Sequence, residues 1–252
     1  MLNHTERSYV SHLCEFLPNR TPGKRGPRPI HKEDLIYQLF EKIKYNLRWE
    51  DLENSTVCHN YFQEIQRRGI FKKIFNNITS DYQKQRLQKT VVDSSDIESH
   101  RVNSRVRYSG KYHKYCLKMT VETTEEWIPV DFELSPGSMS DSRILEEMLS
   151  ERGKVLPYEL YLDKGYEKYS RRRELKRQNC QVRMEMKRGN NKKRGPKFKF
   201  AEEHQRIRCG IEKIFSWIKS FNGLRYNRLK KWSLIMASFI FVLCYIVFIR
   251  LK

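Results

Sequence analysis

The chain has 252 residues, and its 50 Lys and Arg side chains outnumber 30 Asp and Glu, which gives a formal net charge of +20 at pH 7. This length allows one sizeable domain with a buried core plus a small one, and the charge predicts a polyanionic partner, either nucleic acid or an anionic membrane surface. Six cysteines without a CxxC pair or a Cys/His cluster argue against a zinc site and a disulfide framework, and they indicate a reducing compartment.

The first 87 residues are predicted to form an arm followed by a helical region. Residues 1–29 are interpreted as an irregular arm, which opens with the polar MLNHTERSYV, lacks the pattern of a signal peptide and ends in the basic linker TPGKRGPRP. In residues 30–87, HKEDLIYQLFEKIKYNL places Leu35, Leu39 and Ile43 on one helical face. Three short helices are expected to follow between Trp49 and Ile78.

The same helical region contains candidate DNA contacts. A short helix, a turn and then VCHNYFQEIQRR are compatible with a helix-turn-helix that exposes Gln63, Gln66, Arg67 and Arg68. A plain helical bundle without a role in DNA binding is the alternative. Residues 30–87 are therefore predicted to be a helical DNA-binding region.

From residue 88 the pattern changes to strands that alternate with helices. Strands are predicted at KTVVDSS, YCLKMTVETT, EWIPVDFELS, LPYELYLDKGY and CQVRMEM, and helices at DSRILEEMLSER, KYSRRRELKRQN and the stretch that contains IRCGIEKIFSWIKSF. The order β-β-β-α-β-α-β-α predicts an α/β domain over residues 88–252. It is the ribonuclease H-like order, with a mixed five-stranded sheet flanked by helices.

This strand order would bring three acids together. The first strand of a ribonuclease H-like sheet adjoins the fourth, so Asp93 in VVDSS would lie beside Asp163 in YLDKGY, and the helix after the fifth strand could place Glu212 over both. Three carboxylates offer the hard oxygen ligands that Mg²⁺ or Mn²⁺ prefers. Two such ions roughly 4 Å apart can promote the cleavage of a phosphodiester. Asp96 and Asp141 are alternative ligands.

The helix that carries Glu212 has an apolar side and a charged edge. At about 100° per residue, Ile207, Ile211 and Ile214 gather on one side. Arg208, Glu212 and Lys219 then lie within about 40° of one another along its edge. A solvated line of ion pairs would give the same pattern.

Five segments, taken in order, resemble the DDE transposases of small prokaryotic insertion sequences, most closely the family-five group, and the resemblance covers essentially the whole chain. The segments are VVDSS (91–95), YHKYCLKMTV (112–121), LSPGSMSDS (134–142), YLDKGY (161–166) and RCGIEKIFSWIK (208–219). The resemblance implies that Asp93, Asp163 and Glu212 form a catalytic triad that binds two Mg²⁺ or Mn²⁺ ions.

The resemblance also assigns Arg208 and Lys219 to the Arg and Lys of the family's Tyr-Arg-Glu-Lys signature. Two positions depart from the family pattern: Gln205 stands where the Tyr is expected, and Ser140 stands where a His often precedes the Asp of the 134–142 turn. Neither departure removes an expected metal ligand.

Further basic residues are expected to bind DNA phosphates. The loop KRGNNKKRGPKFKF supplies Arg188, Lys192, Lys193 and Arg194, and such contacts give sequence-independent affinity. The resemblance implies cleavage at the ends of a mobile element, transfer of the freed 3′-hydroxyl into target DNA, and a homodimer on the paired ends. The expected location is the cytoplasm of a prokaryotic cell, at the nucleoid.

The run SLIMASFIFVLCYIVFI (233–249) has 17 uncharged residues, close to the lower limit for a transmembrane helix. A buried terminal helix is the favoured interpretation, and the resemblance implies that it packs on the sheet of the catalytic domain. Two other functions stay open: a metal-dependent nuclease of the same fold that cuts without joining, and a non-catalytic, membrane-tethered DNA-binding protein.

Overall fold

The computed structural model describes residues 2–18, 30–99, 105–110, 113–151, 155–166, 169–184 and 201–251. Contacts between residues divide the chain into two compact units. The first comprises residues 1–78, 98–103 and 217–252, and the second comprises residues 79–97 and 104–216.

The described part of the chain contains both helices and strands. In chain order they are α1 (His4–Phe16), α2 (Lys32–Tyr45), α3 (Ser55–Arg67), α4 (Ile70–Ile78), α5 (Ser80–Lys84), β1 (Lys89–Ser99), β2 (Arg107–Ser109), β3 (Lys114–Thr124), β4 (Pro129–Pro136), α6 (Asp141–Glu151), β5 (Glu159–Leu162), a 3₁₀ turn (Lys164–Tyr166), α7 (Tyr169–Arg177), β6 (Gln181–Arg183), α8 (Ala201–Ser220), α9 (Asn222–Arg225), β7 (Tyr226–Asn227) and α10 (Trp232–Leu251).

The start of the chain is helical, so the prediction of an irregular arm was wrong for residues 4–16. A capping box begins α1: the Asn3 side chain accepts the backbone N–H of Glu6 at 2.9 Å, and the Glu6 carboxylate accepts the backbone N–H of Asn3 at 2.9 Å. Such a box satisfies two of the amide donors that a helix start leaves without partners. Tyr9 and Leu13, one turn apart, then bury the same face of the helix.

The expected helix around residue 40 is confirmed, because α2 buries Leu35, Leu39 and Ile43. The expectation of three helices between Trp49 and Ile78 was wrong in one part. Residues 49–54 form turns, in which Asp51 accepts the backbone N–H of Arg48 at 2.7 Å, a local bond that competes with helix formation. The other two expected helices are α3 and α4.

The apolar terminal helix α10 is buried in the first unit. Its principal neighbours are α1, α3, α4 and α9, so the expectation that it packs on the sheet was wrong. The Tyr9 hydroxyl donates to the Phe241 carbonyl at 2.9 Å, and the Tyr9 ring packs edge-on against Phe241 and Tyr245. Helix α10 is long and apolar enough to cross a membrane, yet 67% of its most apolar stretch lies inside the protein.

The five predicted strands form one mixed sheet, which confirms the predicted fold class. The hydrogen-bonded order is β2-β3-β1-β5-β6, and β4 pairs antiparallel with β3. Strand β5 is parallel to β1 on one side and to β6 on the other. The short strands β2 and β7 were not predicted; β2 extends the pairing of β3, and β7 pairs with the last two residues of β1.

Both faces of β5 are covered, because side chains alternate along a strand. Leu160 and Leu162 belong to a core cluster with residues of α6 and α7. On the opposite face, the Tyr161 ring lies 6.1 Å from the His204 ring of α8, and a His204 ring nitrogen lies 2.9 Å from the Leu162 carbonyl oxygen. The sheet therefore fixes the position of α8.

Helix α8 also contacts Trp127 in the β3–β4 turn. A Cβ atom added to Gly210 would lie 1.8 Å from the Trp127 ring nitrogen, and the Lys213 ammonium lies 4.6 Å from the centre of the same ring. Trp127 has a φ of 65°, a value that non-glycine residues rarely adopt. The close approach of this helix to the turn therefore requires glycine at position 210.

We predict that Gly210→Ala destabilises the protein by about 1–3 kcal/mol, the usual cost of overpacking. In an exposed helix the same change would stabilise by about 0.8–1.0 kcal/mol, so a loss would identify the Trp127 contact as the cause. Urea denaturation measures the difference. Gly110→Ala is the matched control, because no atom of the described residues lies within 4 Å of a Cβ there. Equal effects of the two changes would contradict the assignment.

Candidate active site

The register of two parallel strands places two of the predicted site residues side by side. Val92 pairs with Leu162 in the last pair between β1 and β5. Asp93 and Asp163 are the next residues of the two chain segments. The strand-order argument therefore predicted this neighbourhood correctly.

Asp93 is held in a largely buried position. Its side chain is 15% exposed, and its Oδ1 atom accepts the backbone N–H of Ser94 at 2.8 Å. The Ser94 hydroxyl in turn lies 2.6 Å from the Tyr166 hydroxyl and 2.7 Å from the Thr120 hydroxyl. This network fixes the backbone next to the carboxylate, and sequence reasoning missed it.

Asp163 is more open to solvent, with 37% of its side chain exposed. It directly precedes the 3₁₀ turn, in which the backbone N–H of Tyr166 donates to the Asp163 carbonyl at 3.0 Å. The turn returns the Tyr166 ring to the core, where it is 2% exposed. The carboxylate of Asp163 thus lies at the edge of the sheet, beside Asp93 and within reach of a ligand.

A single guanidinium bridges the two carboxylates. Arg208 of α8 contacts Asp163 Oδ1 through Nη1 at 3.1 Å and Asp93 Oδ2 through Nη2 at 3.4 Å. Its side chain is 30% exposed. The sequence placed Arg208 on the helix edge near the acids but did not predict this ion pair.

Protonation equilibria reflect the crowding of charge at this site. Burial raises the pKa of Asp93, and the negative charge of Asp163 raises it further, while Arg208 and the Ser94 amide lower it without cancelling the rise. For Arg208, burial alone would lower the pKa, but the negative charges of Asp93, Asp163 and Glu212 outweigh burial and raise it. The guanidinium therefore stays charged and partly neutralises the pair.

Glu212 is not gathered with the two aspartates. It is exposed, one helical turn beyond Arg208 on α8, and it acts on that guanidinium through its charge. Within the described ranges, no group of three or more His, Cys, Asp or Glu side chains could hold a metal ion. The oxygen donors of Asp93 and Asp163 suit a hard divalent cation, and the cationic group between them shows that their site accepts positive charge.

The two alternative acids have different surroundings. Asp141 begins α6 and receives a 2.9 Å ion pair from Lys118, whose ammonium also donates to the Met139 carbonyl at 2.8 Å. Gly165 approaches it closely, since a Cβ there would lie 2.9 Å from Asp141 Oδ2. Both contacts orient Asp141 at the start of α6. Burial raises the pKa of Cys116, and the negative charge of Asp96 raises it further.

The predicted DNA-binding residues have diverse environments. Arg67 and Arg68 are exposed, and both pair with Glu64, at 3.0 and 2.5 Å. Lys219, half-buried, lies in the last turn of α8. The remaining four fall in the 185–200 segment, outside the described residues: Arg188, Lys192, Lys193 and Arg194.

We predict that Asp93→Asn makes stability less dependent on pH. A raised carboxyl pKa means that the folded chain binds more protons than the unfolded chain between the two pKa values, so unfolding free energy falls as pH rises through that window. The Asp93→Asn variant has no carboxyl group at this position, so this decrease in unfolding free energy is absent. Relative to wild type the variant should therefore gain stability from pH 4 upward, as measured by urea denaturation in EDTA. A variant that loses stability relative to wild type over this range would contradict the prediction.

Comparisons with known proteins agree with the geometry of the sheet. The profile of the transposase DDE domain family matches residues 84–248, more than half of the chain. No significant match is found among curated protein sequences. The fold is similar to that of a piggyBac transposase solved by cryo-EM as a synaptic complex with hairpin DNA, with a TM-score of 0.52 and 8% identity over 97% of this chain and 72% of that chain.

Proposed function

The chain belongs to the family of transposases with a DDE domain, and from this premise we propose that it cuts DNA at the ends of a mobile element and joins those ends to target DNA. The observation that carries the proposal is the register-matched pair Asp93 and Asp163, bridged by Arg208. Two neighbouring carboxylates repel each other, and this repulsion opposes folding. A pair of this kind therefore suits phosphoryl transfer better than a role in structural stability.

Transposases of this family typically use divalent metal ions. We propose that Asp93, Asp163 and Glu212 hold two Mg²⁺ or Mn²⁺ ions, with Glu212 joining the aspartates when DNA is bound. When bound, such ions supply Lewis-acid stabilisation of the attacking and leaving oxygens.

The reaction requires two displacements at phosphorus. In the first, a water oxygen bonds to the phosphorus at the element end, and the bond to the 3′-oxygen breaks, which leaves a 3′-hydroxyl and a 5′-phosphate. In the second, the freed 3′-oxygen bonds to a target phosphorus and displaces the target's own 3′-oxygen. Each step exchanges one ester bond for another bond to oxygen and needs no oxidant or covalent protein intermediate.

The basic residues bind and orient the DNA in this proposal. Arg208 and Lys219 contact phosphates beside the cut, while the residues of the 185–200 segment and of α3 bind the backbone further away. Cations of this kind give salt-dependent affinity that does not depend on base sequence. Residues 30–87 would recognise the element ends, and a homodimer would hold both ends, in a prokaryotic cell at the nucleoid.

We predict that Asp93→Asn, Asp163→Asn and Glu212→Gln each abolish cleavage and joining. The losses should exceed about 10²-fold, because even an outer-shell partner of a metal ligand is worth 10–100-fold. The assay uses a labelled duplex that carries the element ends and a circular target, in Mg²⁺ or EDTA. Glu202→Gln is the matched control, an exposed glutamate at the start of the same helix.

Two results would overturn parts of the proposal. Cleavage by all three variants at the wild-type rate would remove the triad from the chemistry. Metal-dependent cleavage without any joined product would identify a nuclease of the same fold.

We predict that Arg208→Met tightens the binding of Mn²⁺ to the chain in the absence of DNA. The guanidinium neutralises the carboxylates that the ion would use, and a single and a double positive charge 4 Å apart repel by about 2 kcal/mol even in water, equivalent to about thirtyfold in affinity. Isothermal titration calorimetry measures the dissociation constant. Arg206→Met removes the same charge from an exposed position of the same helix and should leave that constant unchanged. Weaker or equal Mn²⁺ binding by Arg208→Met would show that the guanidinium and the metal ion do not compete for the two carboxylates.

A further inference from the structure

The first unit contains a cavity of about 660 Å³ between α2, α3 and the segment that leads into α10. Cavities of about 300–1,000 Å³ accommodate small molecules or single nucleotides. This cavity could not be predicted from the sequence, because its walls come from segments nearly 200 residues apart.

The lining of the cavity has a cationic rim. One acid, Glu50, opposes five cationic side chains: Lys42, Arg48, Arg228, Lys230 and Lys231. Four of these cations are exposed: Arg48, Arg228, Lys230 and Lys231. A cleft lined mainly by cations favours an anionic ligand such as a phosphate group.

The floor of the same cavity is apolar and aromatic. Leu39, Ile43 and Leu234 line it together with Phe62 and Trp49. The His59 ring lies 4.6 Å from the Trp49 ring, edge to face. A phosphate alone would gain nothing from contact with an apolar floor, whereas a nucleotide would bury its flat base against it.

Lys42 connects the floor to the rim. Its ammonium lies 4.5 Å from the centre of the Trp49 ring and donates to the Leu47 carbonyl at 2.6 Å. Burial lowers the pKa of His59, and the charges of Lys231 and Lys42 lower it further. The charges of Lys231 and Lys42 therefore act on the cavity wall at His59, and cations on this wall favour an anionic ligand.

We propose that this cavity binds one unpaired nucleotide of the DNA substrate, with the base on the apolar floor and a phosphate at the cationic rim. The inference rests on the proposed function for the identity of the polyanion. A base within a duplex is already stacked and paired, so a fully paired duplex can use only the rim.

The test compares three probes in fluorescence binding assays: a blunt duplex, the same duplex with one unpaired 2-aminopurine nucleotide at its 3′ end, and the free 2-aminopurine deoxynucleoside monophosphate. Wild type should bind the overhang duplex about tenfold more tightly than the blunt one, since base stacking on aromatic side chains contributes about 1–3 kcal/mol. The free monophosphate should abolish the preference for the overhang, because it occupies the floor that only the unpaired base uses.

Two variants of cavity residues measure separately how the apolar floor and the cationic rim contribute to DNA affinity. Trp49→Leu should remove the preference for the overhang while changing blunt-duplex affinity by less than about threefold. Arg228→Gln, on an exposed position, should weaken both duplexes and lower the salt slope by about 1. Lys72→Gln is the matched control, because it removes an exposed lysine of α4 outside the cavity, and it should retain the overhang preference. Circular dichroism checks that each variant is folded.

The outcomes distinguish the cavity from the catalytic proposal. Equal affinity of wild type for both duplexes, with cleavage intact, would overturn the nucleotide pocket alone. Absence of binding to any DNA would overturn both. Binding of phosphatidylserine vesicles that is lost in Arg228→Gln, without an overhang preference in wild type, would assign the rim to a membrane surface and overturn the inference.

Discussion

The sheet can bring the carboxylates of Asp93 and Asp163 together only if the repulsion between them is compensated. Parallel pairing of β1 with β5 places Asp93 and Asp163 directly after the last residue pair of the two strands, and burial raises the pKa of Asp93. Arg208 from α8 supplies the compensating charge. It can do so because α8 is fixed on the sheet through His204 and Tyr161 and approaches Trp127 closely at Gly210. Packing that lies far from the acids along the sequence therefore determines whether they can be kept together.

The strands were predictable because alternation is a local property of the sequence. The neighbourhood of Asp93 and Asp163 was predictable because the order of strands and helices along the chain matches the ribonuclease H-like fold. The contact of Arg208 with both acids was not, since a long side chain on a helix edge can point to several partners. Helix α1 was missed because its signal is a short polar capping box. The neighbours of α10 were missed for a different reason: a helix that is apolar on every side has no preferred face that would indicate its partner.

The net charge of +20 predicts a polyanionic partner but does not locate where it binds. Several cations are already paired within the chain. Arg67 and Arg68 share Glu64, and Arg171, although part of a basic cluster in the sequence, is 7% exposed and pairs with Glu146 at 3.2 Å. The lining of the cavity in the first unit brings five cations together with one acid, Glu50. The fold therefore determines where positive potential is concentrated, and the sequence alone does not show these sites.

Arg208 would connect the stability of the free chain with the proposed chemistry. In the absence of a metal ion its guanidinium is the counterion that the two aspartates require, and a divalent ion bound there would replace that role. A displaced guanidinium on α8 would be left without its carboxylate partners, and a phosphate oxygen is the acceptor that suits its planar donors best. The same side chain could then stabilise the folded chain before DNA binds and hold a phosphate afterwards. A site that balances its charge internally in this way avoids a permanently unpaired buried charge in either state.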